Sequence, residues 1–157
     1  MDFIDKSKSM HYFNLLKKIW YGKRIIIVEG EKSRLGVGND LFVECNEVKR
    51  ILCPVTNAFG YYNEIINKVK DFSKEYMILL ALGPTATAMA YDLYLLGYQS
   101  IDIGHVDIEY EWCRMKATEK VPVKNKYTNE AESIGGLEVG ESFDKLYHSQ
   151  ICAKIGC

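Results

Sequence analysis

The chain has 157 residues, which suits one compact domain and is short for two. Apolar residues make up 48% and charged residues 26%, the composition of an ordinary globular protein. Twenty Lys and Arg residues against twenty-one Asp and Glu residues give a net charge of −1, which argues against a dedicated nucleic-acid binder. No apolar run approaches the roughly 20 residues that span a bilayer, and the first residues lack the apolar stretch of a signal peptide.

The cysteines indicate a cellular compartment. There are five of them, an odd number, and they lack paired short spacings. This pattern is typical of free thiols in a reducing cytoplasm and not of a disulfide framework or a zinc site. The sequence therefore predicts a cytoplasmic protein with no membrane span.

Strands and helices alternate along most of the chain. Helical spacing of apolar residues predicts a first helix over residues 7–21. Four short apolar runs then predict strands, and two more helices separate them. The predicted strands are residues 24–29, 49–53, 76–82 and 100–103, and the two helices are 57–72 and 84–96. Strands alternating with helices predict an α/β sandwich with parallel strand pairing.

The pattern weakens after residue 115. Residues 116–140 contain Pro122 and three glycines, which favours a long loop or flap over one edge of the sheet. Residues 141–155 predict a closing helix, with five apolar side chains inward. These five are Phe143, Leu146, Tyr147, Ile151 and Ile155.

Ligands of open parallel sheets bind at the carboxyl ends of the strands, so the loops after the strands are the places to search. The loop after the first strand contains Gly36 and Gly38 but lacks the third glycine of a dinucleotide-binding fingerprint. Arg34 can still hold a phosphate through two hydrogen bonds, and the glycines let backbone amides approach a ligand. The alternative is a tight turn in which Asn39 or Asp40 caps a short helix.

Two further loops follow at the same end of the sheet. Asn57, after the second strand, is interpreted as a helix N-cap, with ligand contact as the alternative. The turn Gly83–Thr87 opens the helix after the third strand, and a helix N-terminus is a ready anion site. Thr85 or Thr87 can add a hydroxyl there. Plain capping with close helix–sheet packing explains this turn equally well.

The loop after the fourth strand is rich in carboxylates. With Asp102, four acidic residues fall within ten positions. An extended chain would point Asp107, Glu109 and Glu111 to one side, whereas a helix would place only Asp107 and Glu111 on one face. Crowded carboxylates suit Mg²⁺ or Mn²⁺, and His105 can join them or act as a base. The alternatives are a solvated acidic helix start and a structural histidine.

Four long motifs follow one another along the chain, at residues 30–42, 53–59, 79–93 and 97–112. Together with the end of the chain, they resemble the GT-D fold glycosyltransferase family of bacteria. The resemblance implies a Rossmann-like three-layer α/β fold with a mainly parallel sheet. It also implies transfer of a sugar from a UDP-sugar, with UDP-glucose as the expected donor, to a glycan or glycoprotein acceptor.

The resemblance assigns roles to particular residues. It implies a divalent metal, Mn²⁺ by preference or Mg²⁺, held through an Asp-x-Glu motif that corresponds to Asp107 and Glu109. An inverting enzyme also needs a general base, for which the candidates are Glu111, His105 and Glu130. The residues expected to line the nucleotide-sugar pocket are Arg34, Gly36, Gly38, Asn39, Asp40, Gly83, Pro84, Thr85 and Thr87.

The chain departs from the family in one respect, because the N-terminal portion with an Arg-Phe-Gly-Asp-Gly-Glu-like loop is missing. Residues 1–157 are therefore predicted to form one domain that corresponds to the C-terminal part of the usual one. An exposed strand edge or apolar face then favours a homo-oligomer or a companion N-terminal fragment as partner. The alternatives are a non-catalytic nucleotide- or partner-binding module, an inactive fragment of the enzyme, and a phosphatase or nuclease with a carboxylate-bound metal.

Overall fold

The computed structural model describes residues 6–128 and 139–157. Five strands form one sheet in the order β4-β3-β1-β2-β5, and every neighbouring pair is parallel. The strands are β1 (Arg24–Gly30), β2 (Glu47–Cys53), β3 (Met77–Ala81), β4 (Gln99–Asp102) and β5 (Ile151–Lys154). The first four confirm the predicted strands to within two residues at each end.

The helices lie between these strands and before the first of them. They are α1 (Lys6–Lys17), α2 (Tyr62–Val69), α3 (Pro84–Leu95), α4 (Val106–Met115) and α5 (Lys145–Gln150). A short 3-10 turn, Ala58–Tyr61, precedes α2 and replaces the start of the predicted helix. Asn57 stands at the N-cap of that turn with φ of 57°, but its side chain makes no capping hydrogen bond there.

Side chains that alternate along the strands pack on opposite faces of the sheet. Ile26 belongs to the core that includes Met89 of α3, and α2 lies on the same side. Its neighbour Ile25 belongs to a second core, with Phe13 of α1 and Tyr110 of α4. Because the four consecutive side chains from Ile25 to Val28 are all fully buried, this part of β1 is a continuous apolar run. The predicted three-layer α/β sandwich with a parallel sheet is confirmed.

The prediction of a closing helix over residues 141–155 is wrong. The chain forms only the short helix α5 and then enters β5, which pairs with the free edge of β2. Phe143 and Leu146, predicted to face inward, are 92% and 68% exposed, whereas Tyr147 and Ile155 are buried. The four-residue strand forms because β2 offers unpaired backbone groups along that edge.

The segment that follows α4 contacts the loop after β1 and α4 itself. Residues 121–128, here called the strap, are bound to the loop after β1, where the Tyr127 N–H donates to the Lys32 carbonyl at 2.8 Å. Val123 packs against Trp112 of α4. The strap therefore lies at the carboxyl-end edge of the sheet, beside the loop after β1 and the first turn of α4. The remainder of the predicted flap, residues 129–138, lies outside the described residues.

Two other sequence predictions can be compared with the fold. No helix within residues 6–128 and 139–157 is long and apolar enough to cross a membrane. All five cysteines are free thiols. Burial raises the pKa of the Cys53 thiol to about 12, which keeps it in the unreactive protonated form.

Candidate functional site

A cleft lies at the carboxyl ends of β1 to β4, where open parallel sheets bind ligands. Its volume is about 280 Å³. This is slightly below the roughly 300–1,000 Å³ of sites that enclose a drug-sized ligand, so the cleft suits one part of a larger molecule. The residues that line it are Gly30, Ser33, Leu35, Pro54, Val55, Thr56, Asn57, Ala58, Ala81, Leu82, Gly83, Pro84, Gly104, His105, Asp107, Ile108 and Tyr127.

Asp107 is the one carboxylate among these lining residues, and it is almost fully buried, at 2% exposure. It belongs to the first turn of α4, where the helix dipole favours negative charge. Its Oδ1 accepts hydrogen bonds from the Gly36 N–H at 2.8 Å and the Asn39 side-chain amide at 2.9 Å. Its Oδ2 accepts one from the Lys126 ammonium at 2.7 Å. Asp107 is therefore a buried, ion-paired carboxylate that reaches the cleft.

The acidic segment after β4 is helical, so the second of the two predicted geometries is the observed one. Asp107 and Glu111 share a face of α4, and the Asn39 amide donates to both, at 2.9 and 2.6 Å. Glu109 is half-buried on a different face and is not among the described residues that line the cleft. Within the described ranges, no three His, Cys, Asp or Glu side chains come together in a metal-binding arrangement. The metal role of Asp107 and Glu109 stays a prediction.

The glycine-containing loop after β1 is held by two buried carboxylates. The Leu35 N–H donates to Glu29 Oε2 at 2.7 Å, and the next amide, that of Gly36, donates to Asp107. Gly36 has φ of +74°, and a Cβ there would overlap the Phe42 ring. The glycine thus permits close packing and a left-handed turn, while its amide is already bonded to the protein. Gly38 is not one of the described lining residues.

Arg50 neutralises Glu29 beneath this loop. Its Nη1 donates to Glu29 Oε1 at 2.6 Å, its Nη2 to the Leu35 carbonyl at 2.8 Å, and its Nε to Gln150 at 2.8 Å. Burial raises the pKa of the Glu29 carboxyl, and the Arg50 charge opposes that rise. Sequence reasoning missed this pair, whose only signal is a charged residue within each of two strand-forming runs.

Two side chains expected to contact a nucleotide sugar are bonded within the protein. Arg34 is buried, and its guanidinium donates to the carbonyls of Asn125 and Gly140. Asp40 accepts hydrogen bonds from Tyr110 and from Lys17, and these hold the pKa of its carboxyl below the usual range. Neither residue is among the described residues lining the cleft, so their ligand contacts stay predictions.

The turn before α3 divides into two parts. Gly83 and Pro84 line the cleft, and their contact with a nucleotide sugar stays a prediction. Gly83 has φ of 59° with ψ of −144°, a conformation suited to glycine. Thr85 is buried in the helix, and exposed Thr87 donates to Asp102 at 2.9 Å. The structure therefore brings only the first two of these four residues to the cleft.

The three candidates for a general base occupy different places. His105 is exposed and lines the cleft directly before α4. Glu111 is half-buried and is bonded to Asn39. Glu130 lies outside the described residues.

Sequence reasoning also missed lining residues. Thr56 and Ser33 follow β2 and β1, so a search of every loop after a strand could have found them. Tyr127 comes from the strap, and nothing in the local sequence pattern indicated that it would reach the cleft.

Comparisons with known proteins identify the family. A family model described as "Glycosyltransferase GT-D fold" matches residues 1–131. The chain belongs to this family. It is 44% identical over 155 residues to "Glycosyltransferase GlyD" of Streptococcus pneumoniae serotype 4, and 43% identical over 155 residues to "Probable glycosyl transferase Gly" of Streptococcus gordonii. These matches cover 99% of the chain but only 19% and 22% of the two relatives.

Solved structures agree with the family assignment. One is described by the words "The highly conserved domain of unknown function 1792 has a distinct glycosyltransferase fold", and this GT-D chain resembles it with a TM-score of 0.91 and 50% identity. Another, "A New Glycosyltransferase (DUF1792) from Streptococcus sanguinis", gives a TM-score of 0.89 and 42% identity. The chain is covered to 98% and 97%, and it spans 55% and 56% of those two chains.

Proposed function

We propose that this chain forms the donor site of a cytoplasmic glycosyltransferase that moves a sugar from a UDP-sugar to a glycan or glycoprotein acceptor. Membership of the GT-D family and the names of its relatives support sugar transfer. UDP-glucose is the expected donor. The observation that carries the proposal is the cleft at the carboxyl ends of four parallel strands, with the Asp107 carboxylate in its wall.

The walls of the cleft suit one part of a nucleotide sugar. The segment Pro54–Ala58 supplies apolar surface, and the turn at Gly83 and Pro84 lies at the N-terminus of α3. A helix N-terminus favours a phosphate group, and glycine allows the backbone to approach it closely. The volume of about 280 Å³ suits part of a nucleotide sugar and not the whole molecule.

The chemistry around Asp107 fits a divalent cation that binds together with a diphosphate. Asp107 Oδ2 accepts one hydrogen bond from a side chain, which leaves a lone pair for a further contact. Mg²⁺ usually binds proteins through one or two carboxylates plus substrate phosphates. We propose Asp107 as the principal ligand, with Glu109 as the second ligand that the family motif implies. A bound Mn²⁺ or Mg²⁺ supplies positive charge that offsets the charge developing on the departing diphosphate.

His105 is the best placed of the described candidates for the general base. Its ring is exposed and lines the same cleft as Asp107, so it can accept a proton from an acceptor hydroxyl. Glu111 is not among the described residues that line the cleft, and its carboxylate accepts a hydrogen bond from the Asn39 amide at 2.6 Å. The proposal therefore assigns proton transfer to His105 and positioning of the Asn39 amide to Glu111.

Titration calorimetry with UDP, with and without Mn²⁺, tests this function. We expect metal-dependent binding by the wild type and at least roughly tenfold weaker binding by Asp107→Asn, because that variant loses the charge that faces the cation. Asp71→Asn, at an exposed carboxylate after α2, is the matched control and should bind as the wild type does. Unchanged metal-dependent binding by a folded Asp107→Asn protein would show that the assigned metal role is wrong. Screening of UDP-sugars for transfer then identifies the donor.

A second candidate is a nucleotide-binding module without transfer activity. The observation that favours it is the Lys126 ammonium, which already pairs with Asp107 at 2.7 Å. This candidate predicts that UDP binds equally well with and without Mn²⁺, and that no UDP-sugar is consumed. The same titration and transfer assays therefore separate the two functions.

A further inference from the structure

Lys126 is a buried lysine that the sequence pattern did not single out. Its Nζ lies 2.7 Å from Asp107 Oδ2 and 3.8 Å from Glu111 Oε1, and its side chain is 4% exposed. The residues on either side of it are fixed to the loop after β1. The Asn125 carbonyl accepts from Arg34, and the Tyr127 N–H donates to Lys32. The strap thus places one ammonium group beside Asp107, a residue of the cleft wall.

The charges of this cluster balance without a metal. Asp107 and Glu111 contribute two negative charges. Lys126 supplies one positive charge, and Arg114, whose Nη1 lies 3.5 Å from Glu111, supplies the other. A divalent cation added at Asp107 would lie within a few ångströms of the Lys126 ammonium. The repulsion between the two positive centres would be strong there, because a buried site screens charge poorly.

A diphosphate removes this repulsion. The two negative charges on the diphosphate of a nucleotide sugar cancel the charge of a divalent cation, and a free nucleoside diphosphate, with a further ionised oxygen, leaves a net negative complex. The Lys126 ammonium therefore repels the bare cation, does not repel its complex with a nucleotide sugar, and attracts its complex with the free diphosphate.

We propose that Lys126 is an internal counter-ion that prevents Asp107 from binding a bare divalent cation and admits the cation only as its complex with a nucleoside diphosphate. This inference rests on the proposed metal-dependent donor site. It adds an order of binding, in which metal and nucleotide enter together, and it names a selectivity residue outside the Asp-x-Glu motif.

The test measures Mn²⁺ binding by electron paramagnetic resonance, with and without UDP. Lys126→Met removes the charge and keeps most of the side-chain length. We expect it to bind bare Mn²⁺ at least about tenfold more tightly than the wild type, and the Mn²⁺–UDP complex at least about threefold more weakly. Lys126→Arg keeps the charge, so it should bind bare Mn²⁺ no more than about threefold more tightly than the wild type does. Lys124→Met, at an exposed lysine of the same strap, is the matched control.

Lys126→Met is expected to be less stable than the wild type, because Asp107 loses one of its partners. A second measurement therefore compares melting temperatures. The rise in melting temperature on addition of Mn²⁺ should be larger for Lys126→Met than for the wild type, because the metal replaces the missing positive charge. The proposal is overturned if Lys126→Met binds bare Mn²⁺ no more tightly and gains no larger rise.

The two proposals fail in different ways. Tighter Mn²⁺ binding by Lys126→Met supports the counter-ion role even if no variant binds UDP, an outcome that would remove only the proposed function. Metal-dependent UDP binding by both proteins, with bare Mn²⁺ bound no more tightly by Lys126→Met than by the wild type, keeps the proposed function and overturns the counter-ion role.

Discussion

Two buried ion pairs hold the same loop, and they differ in what lies beside them. Glu29 pairs with Arg50 at 2.6 Å and binds the amide of residue 35, whereas Asp107 pairs with Lys126 at 2.7 Å and binds the amide of residue 36. All three guanidinium nitrogens of Arg50 are bonded to protein groups. Asp107 instead lines the cleft, and its cation is a single ammonium group.

The comparison shows how one electrostatic arrangement serves two purposes. An arginine that makes several fixed hydrogen bonds suits a permanent scaffold, whereas a lysine is a compact point charge on a flexible stem. We therefore expect the Glu29 pair to determine whether the sheet and loop fold together. The Asp107 pair is expected to determine which charged ligands enter the cleft.

Removal of Arg50 should have the largest effect on stability. Arg50→Met leaves Glu29 fully buried without its cation, and we expect a loss of about 3–5 kcal/mol in the free energy of unfolding. Urea unfolding at pH 7 measures it. Lys49→Met, at a half-buried neighbour that pairs with Glu47 at 3.4 Å, is the control and should lose less than about 1 kcal/mol. Addition of Mn²⁺ should not restore the stability of Arg50→Met. A rescue by Mn²⁺, or a loss of stability as small as that of the control, would contradict the assignment of the Glu29 pair to the scaffold and of the Asp107 pair to the ligand site.

The loop between the two pairs can be disturbed at a single position. Gly36→Ala adds a Cβ that overlaps the Phe42 ring and places a non-glycine residue at φ of +74°. We expect a loss of roughly 2–4 kcal/mol from these two causes together. Gly38→Ala is a matched control, because φ is +80° there but a Cβ meets nothing within 4 Å. It should lose only about 1–2 kcal/mol. Equal losses in urea unfolding would show that close packing against Phe42 does not fix the loop.

A third ion pair, between Arg24 and Glu47, lies at the opposite end of the strands and is partly exposed, so its contribution to stability can be compared with that of the two buried pairs. Hydrogen bonds from Tyr76 and Arg24 lower the pKa of Glu47 to about 2, from an ordinary value of 4.5. Because the folded state favours the ionised form, its stabilisation is present above about pH 4.5 and is lost as the pH falls toward 2. The side chain is about one-third exposed, so Glu47→Gln should lose only about 1 kcal/mol at pH 7.

Unfolding at a series of pH values measures this smaller effect. The gap between the wild type and Glu47→Gln should close between pH 4.5 and about 2. Tyr76→Phe removes the hydrogen bond of 2.7 Å to Glu47 and should narrow the difference in stability between the wild-type and Gln forms of residue 47 at pH 7. A gap of the same size at pH 7 and near pH 2 would show that the Glu47 charge does not cause it.

The local sequence pattern was sufficient to predict four of the five strands of the sheet. Apolar runs such as residues 24–29 mark strands buried on both faces, and the run is nearly identical to β1. β5 escaped prediction because a strand of four residues carries little periodic signal and is determined by the free edge of β2. Hydrogen bonds between side chains and distant segments were not predicted either, because the local sequence does not indicate the partner. Arg34 was expected to bind phosphate, yet it bonds to the carbonyls of Asn125 and Gly140.

The candidate site was predictable by position more than by role. Gly83, Pro84, His105 and Asp107 were chosen because they follow strands, and they line one cleft, whereas their roles stay predictions. Lys126 carried no signal, because its partner lies 19 residues earlier in the chain. Self-association stays a prediction. Tyr91 and Tyr94 on α3, both more than 60% exposed, are aromatic surface of the kind that it would cover.

The two neighbouring amides of Leu35 and Gly36 are bonded to carboxylates from different elements, β1 and α4. Their hydrogens should exchange with deuterated water far more slowly than those of an ordinary surface loop, even in the absence of ligand. The turn is therefore ordered when the chain folds. A ligand that reaches the cleft meets a preformed wall and loses little affinity to the ordering of this loop.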